Sequence, residues 1–299
     1  MNRKPDRVGQ VFAALGKSVC YVALFLGMQL AVMLPVMVSI ITEELLGGST
    51  VDEGAVTALM TTDVVTLTLI SGLLTLVVIL AFYLIRRKKL SEALMLQSVP
   101  APTLLTGASL APGLYFVVTL FLMVLPEAWT ESYMEASAGI DTGSFVGVIS
   151  VAVVAPIVEE FVFRGLVMNR LSRVMPGWLA VVISSAVFGV CHGHPVWFAY
   201  AFVLGAVFGF IDLRAGSIWP SILGHVVFNL IGQVVSFIPE TEEGTELVIF
   251  LGALLVVGIV LPIVNRRAIA ALFHPASRES TAQEMPAKPQ NYSYDPWDM

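Results

Sequence analysis

Apolar and polar residues alternate along this chain in blocks rather than in the short periods of a soluble fold. Apolar runs of about 20 residues recur over most of its length, each long enough to cross a hydrocarbon core of about 30 Å. We place spans near 19–42, 64–85, 103–126, 144–168, 177–194, 197–213, 217–238 and 247–264. The pattern predicts an all-α fold, a polytopic membrane helix bundle of about eight transmembrane helices. Composition agrees: 57% of the 299 residues are hydrophobic and only 13% are charged, where a soluble domain carries about a quarter charged residues.

The net charge of −6 conceals a sorting of charges between alternate loops. One side receives Arg3, Lys4, Arg7 and Lys17, the run Arg86-Arg87-Lys88-Lys89, then Arg170, Arg173, Arg214, Arg266, Arg267, Arg278 and Lys288. The other receives Glu43, Glu44, Asp52, Glu53 and Asp63, then Glu127, Glu131, Glu135 and Asp141, and finally Glu240, Glu242, Glu243 and Glu246. Basic loops face the cytoplasm, so both termini are expected there, in a multi-pass protein of the cell membrane. The apolar run from Val19 to Ile41 is too long for a signal peptide and reads as an uncleaved first helix. Cys20 and Cys191 lie within spans and form no C-x-x-C pair, which argues against a disulfide framework.

The first three spans contain no Asp, Glu, Lys, Arg or His, so residues 1–143 read as a lipid-facing scaffold. Residues 144–264 hold helices four to eight and every candidate for chemistry. Residues 265–299 read as a cytoplasmic tail, rich in Pro and Ser and disordered from about 268. The stretch 90–101 is amphipathic enough to lie on the membrane surface. The sequence contains no internal repeat, phosphate-binding glycine loop or basic patch for nucleic acid.

An ionisable residue inside a span is costly and reads as functional by default. The fourth span carries Glu159, Glu160 and Arg164. On a helical wheel Glu160 and Arg164 lie about 40° apart, the usual i,i+4 ion pair, whereas Glu159 lies about 140° from Arg164. A neutralising pair needs one carboxylate, and this helix has two. The fifth span places Phe188 and His192 at i,i+4, with His194 beyond Gly193 at its outer boundary. The seventh does the same with His225 and Asn229. Counting about 1.5 Å per residue, Glu159 and His225 lie near the midplane, and His192 deeper. A carboxylate with histidines in a dry cavity can deprotonate water, and a second His with an Asn can donate to an oxyanion. Glu159, His192 and His225 could instead hold Zn²⁺. Neither Ser184, Ser185 nor Cys191 has an equally good partner as a nucleophile.

In this order the residues resemble the CPBP family, the CAAX prenyl proteases and bacteriocin-processing or immunity proteins of membranes. Glu159-Glu160-Phe161-Val162-Phe163-Arg164 matches its E-E-x-x-x-R motif, Phe188 to His192 its F-x-x-x-H, and His225 to Asn229 its H-x-x-x-N. The resemblance, over roughly 145–235, implies an intramembrane endopeptidase open to the cytoplasm. It implies that Glu159 and His192 activate water, that His225 and Asn229 stabilise the oxyanion, and that Glu160 and Arg164 support the site. Family members are described both as metalloproteases and as metal-independent glutamate proteases, so a zinc ion on Glu159, His192 and His225 stays open, with a metal-free water favoured. The implied partners are the lipid bilayer and a membrane-anchored protein or peptide substrate, prenylated or not, and the implied location is a bacterial plasma membrane. A non-catalytic scaffold or immunity protein is the alternative. A proton or ion transporter would show inverted repeats and paired broken helices, which are missing from the sequence.

Overall fold

The computed structural model describes residues 7–47, 53–138, 144–235, 237–238 and 245–273. Asp52, Asp141, Glu240, Glu242 and Glu243 of the acidic loops, Arg3 and Lys4, and the tail residues 274–299 lie outside the described residues. Within them the fold is all-α. In chain order the helices are α1 (Arg7–Gly47), α2 (Glu53–Ile85), a short α3 (Leu90–Ala93), α4 (Ala101–Met123) and α5 (Glu127–Ala138). There follow α6 (Phe145–Leu171), α7 (Gly177–Val190), α8 (Pro195–Ala215), α9 (Trp219–Val235), α10 (Thr245–Val264) and α11 (Arg266–Phe273).

Six of these are long and apolar enough to cross a membrane: parts of α1 and α2, and α4, α6, α8 and α10. The chain is a multi-pass membrane protein. Two of the predicted spans are shorter than expected. α7 has 14 residues and α9 has 17, about 21 and 26 Å of helix. α7 stops because Gly193 takes φ +74° and Pro195, at the first turn of α8, cannot continue a helix.

Helix packing rests on small residues, as it does where lipid supplies no hydrophobic drive between helices. α4 lies against α9 and α10, α8 against α7, and α1 against α2. The closest approach joins α4 to α9. A Cβ on Gly107 would run into the Pro220 carbonyl oxygen, and one on Gly224 would lie 2.8 Å from the Gly107 carbonyl carbon. The apolar core gathers around α6, where Val162, Phe163, Leu166, Val167 and Met168 are all buried.

Three segments differ from expectation. Residues 90–101 do more than lie on the surface: Ser91, Gln97 and Ser98 are exposed, but Leu94 is fully buried and packs where a side chain on Gly165 would be. Hydrogen bonds explain this. Asn169 Nδ2 donates to the carbonyls of Glu92 and Ala93 at 3.1 and 2.9 Å, Ile218 N donates to Met95 O at 3.0 Å, and Ser217 Oγ to Gln97 O at 2.7 Å. Residues 266–273 are helical, although composition alone predicts disorder from about 268. The acidic loop after the third span carries a helix of its own, α5.

Candidate active site

α6 carries two adjacent carboxylates, Glu159 and Glu160, inside an apolar span, and its backbone is not uniformly α-helical. Over Ser150–Val154 and Glu160–Met168 it widens to π-helical turns. Such turns are rare and concentrate at functional sites. The first has a local cause, since Pro156 donates no hydrogen bond and its ring crowds the carbonyl four residues back. The second starts at Glu160, within the candidate site.

The two glutamates have different surroundings. Glu160 is wholly buried, as is Arg164, with side-chain exposures of 0 and 1%. Arg164 Nε lies 3.2 Å from Glu160 Oε2, and His225 Nδ1 donates to Glu160 Oε1 at 2.8 Å. Glu159 keeps 19% side-chain exposure, and its Oε2 lies 3.7 Å from His225 Nε2. His225 thus stands between the two carboxylates, with Nδ1 held by the buried one and Nε2 turned to the accessible one. The Glu160–Arg164 contact is the i,i+4 pair that the helical wheel gives.

His192 lies in the turn beyond α7, not on the helix itself. Its Nδ1 donates to the Phe188 carbonyl at 2.8 Å, which leaves Nε2 free of that bond. Glu159 and His192 line one cavity of about 60 Å³ with Phe25, Gln29, Phe163, Phe188 and Cys191. That is ample for a water molecule. Phe188 is the hub of the site. Its ring lies 4.4 Å from the Arg164 guanidinium carbon and meets His192 and His225 edge-on, with centroids 4.6 and 5.9 Å away. Asn229 donates through Nδ2 to Val151 O at 2.9 Å, in the first π-helical segment. One of its two N–H bonds is thereby committed to structure.

Among the described residues no group of three His, Cys, Asp or Glu side chains is arranged to hold a metal ion. The Glu159, His192 and His225 donor set does not converge in that way. Cys20 and Cys191 are free thiols. His194, placed by the sequence at the outer boundary of the fifth span, accepts from Val196 N at the start of α8 at 3.2 Å, and its Nε2 lies 3.1 Å from Ser132 Oγ of α5.

Three participants escaped the sequence reading. Phe25 and Gln29 come from α1, assigned to the scaffold, and only packing shows that they reach the cavity. Asp212 of α8 is fully buried, with its Oδ1 accepting from Ser221 N at 3.2 Å. Its signal was available: it is an acid near the end of a predicted span, overlooked beside the loop charge of Arg214.

Comparison with known proteins bears on this geometry. Residues 141–231, which include every motif residue above, match the type II CAAX prenyl endopeptidase Rce1-like family. The chain is also 24% identical over 181 residues to the candidate membrane peptidase YdiL of Bacillus subtilis (strain 168), covering 54% of this chain and 74% of that protein. Over that stretch the chain is similar to a family of CAAX endopeptidases. The matched stretch covers α6, α7 and α8 and runs into α9. No solved structure matches the chain.

Proposed function

We propose that the protein is an intramembrane endopeptidase in which Glu159 activates the attacking water. The observation that carries this reading is the division of labour between adjacent carboxylates. Glu160 is consumed by Arg164 and His225, while Glu159 faces a water-sized cavity beside His192.

Glu159 takes a proton from water as the oxygen attacks the scissile carbonyl carbon, and delivers it to the departing amide nitrogen as the C–N bond breaks. His192, its Nδ1 anchored on Phe188 O, presents Nε2 to that water. As the imidazolium, His225 donates from Nε2 while Nδ1 stays on Glu160, and it serves the oxyanion together with the uncommitted N–H of Asn229. Anchored donors need no reorganisation as charge develops, and the Glu160 contact supplies that anchoring for His225. The water acts without an obligatory metal. Basic loops place both termini and the entrance in the cytoplasm. The substrate is a membrane-associated protein or peptide, as the match to a CAAX endopeptidase family suggests.

The test compares wild type with Glu159→Gln, purified in detergent, on a library of membrane-anchored peptides. Loss of cleavage at unchanged thermal stability, with wild-type activity surviving a chelator, is expected. Equal cleavage by the variant would remove Glu159 from the chemistry. A wild type that cleaves nothing would favour a scaffold or immunity protein, and inactivation by the chelator would favour zinc.

A further inference from the structure

We infer that Asp212 is a positioning residue for the reaction proposed above: its carboxylate caps the helix bearing His225 and thereby sets the imidazole between Glu159 and Glu160. The inference rests on that peptidase reading and extends it to a residue outside the three motifs.

Each N–H in the first turn of α9 has a partner. The first N–H groups of a helix have no partner within it, and buried ones must find one elsewhere. Trp219 N–H donates to Ser217 Oγ at 3.4 Å. Pro220 has no N–H. Ile222 N–H reaches Ile218 O at 3.0 Å. Ser221 N–H has Asp212 Oδ1, at 3.2 Å. Both Asp212 and Ser221 are 0% exposed, so bulk water does not reach this N–H while the Asp212 side chain is in place.

Asp212 does more than cap. Its main-chain carbonyl accepts from the N–H groups of Gly216 and Ser217 at 2.8 and 3.2 Å, closing α8. Its side chain opens α9. One residue therefore clasps both sides of the turn at Gly216, which takes φ +69°. Ser221 lies one turn before His225 on the same face of α9. A shift of that turn moves His225 Nδ1 away from Glu160 Oε1, a contact of 2.8 Å.

The experiment uses the full chain in detergent with Asp212→Asn, which keeps a carbonyl acceptor, Asp212→Ala, which does not, and Asp212→Leu, which lacks it but keeps the side-chain volume. We measure kcat and KM on a membrane-anchored peptide, thermal stability, and hydrogen exchange over residues 219–225. Ala and Leu are expected to lower kcat by at least about 10-fold, the scale of a small misplacement of catalytic groups. KM should stay within about twofold, because the misplaced group acts in the chemical step, and exchange over 219–225 should quicken. Asn should restore both. Wild-type kcat in the Ala or Leu variant, unchanged exchange, or an Asn variant as impaired as Ala would overturn the inference. A wild type that cleaves nothing overturns the peptidase reading and the positioning role together, while exchange still reports whether Asp212 caps α9.

Discussion

Replacing Glu160 with Gln keeps the shape of the side chain and removes one charge from the interior of the bundle. Arg164 would then remain 1% exposed with no compensating anion in contact. Breaking a buried ion pair from one side costs about 3–5 kcal/mol, because the remaining charge stays desolvated. The bond from His225 Nδ1, now 2.8 Å long to a carboxylate, would end on a neutral amide and lose roughly half its strength. At about 2–4 °C per kcal/mol, the melting temperature is predicted to fall by roughly 6–20 °C. Glu159→Gln should cost less than about 1 kcal/mol, since its 3.7 Å contact and 19% exposure leave it close to a surface pair. Thermal denaturation in one detergent, followed by near-ultraviolet circular dichroism, gives both values. The double variant Glu160→Gln, Arg164→Met should recover most of the loss, because removing both members of a buried pair is far milder than removing one. A Glu160→Gln protein as stable as wild type, or a double variant no better than the single, would refute the view that Glu160 is held by Arg164.

Two further outcomes follow from the packing. Gly224→Ala puts a methyl group 2.8 Å from both the Gly107 carbonyl carbon and the Phe208 ring, so α9 must move. It should cost about 1–3 kcal/mol and lower cleavage with it; wild-type melting and activity would show that α4 and α9 can separate freely. Phe188→Leu keeps the site apolar but loses the face over Arg164 and the edge contacts to both histidines. It should cost about 1–2 kcal/mol in stability and reduce kcat more than it raises KM. An unchanged kcat would show that the ring does not orient the histidines.

The all-α bundle, the number of apolar helices and the pairing of Glu160 with Arg164 were legible in the chain itself. Apolar run length against bilayer thickness and i,i+4 spacing on one helix are local properties, and a one-dimensional pattern can carry them. The motif residues were equally visible, because an ionisable group in a lipid span is conspicuous whatever its neighbours. Tertiary structure alone decided that His225, 65 residues from Glu160, turns one ring nitrogen to each glutamate. It also decided that Asn229 commits an N–H to Val151 O, and that Phe25 and Gln29 of α1 line the cavity with Glu159. Residues 90–101 show the limit most plainly. Their amphipathic pattern suits a membrane surface, but Asn169, Ser217 and Ile218 offer donors to their carbonyls and Gly165 leaves room for Leu94. Hydrogen-bond partners and space supplied by distant helices have no signature in local hydrophobic pattern, so the fold assigns that segment its place.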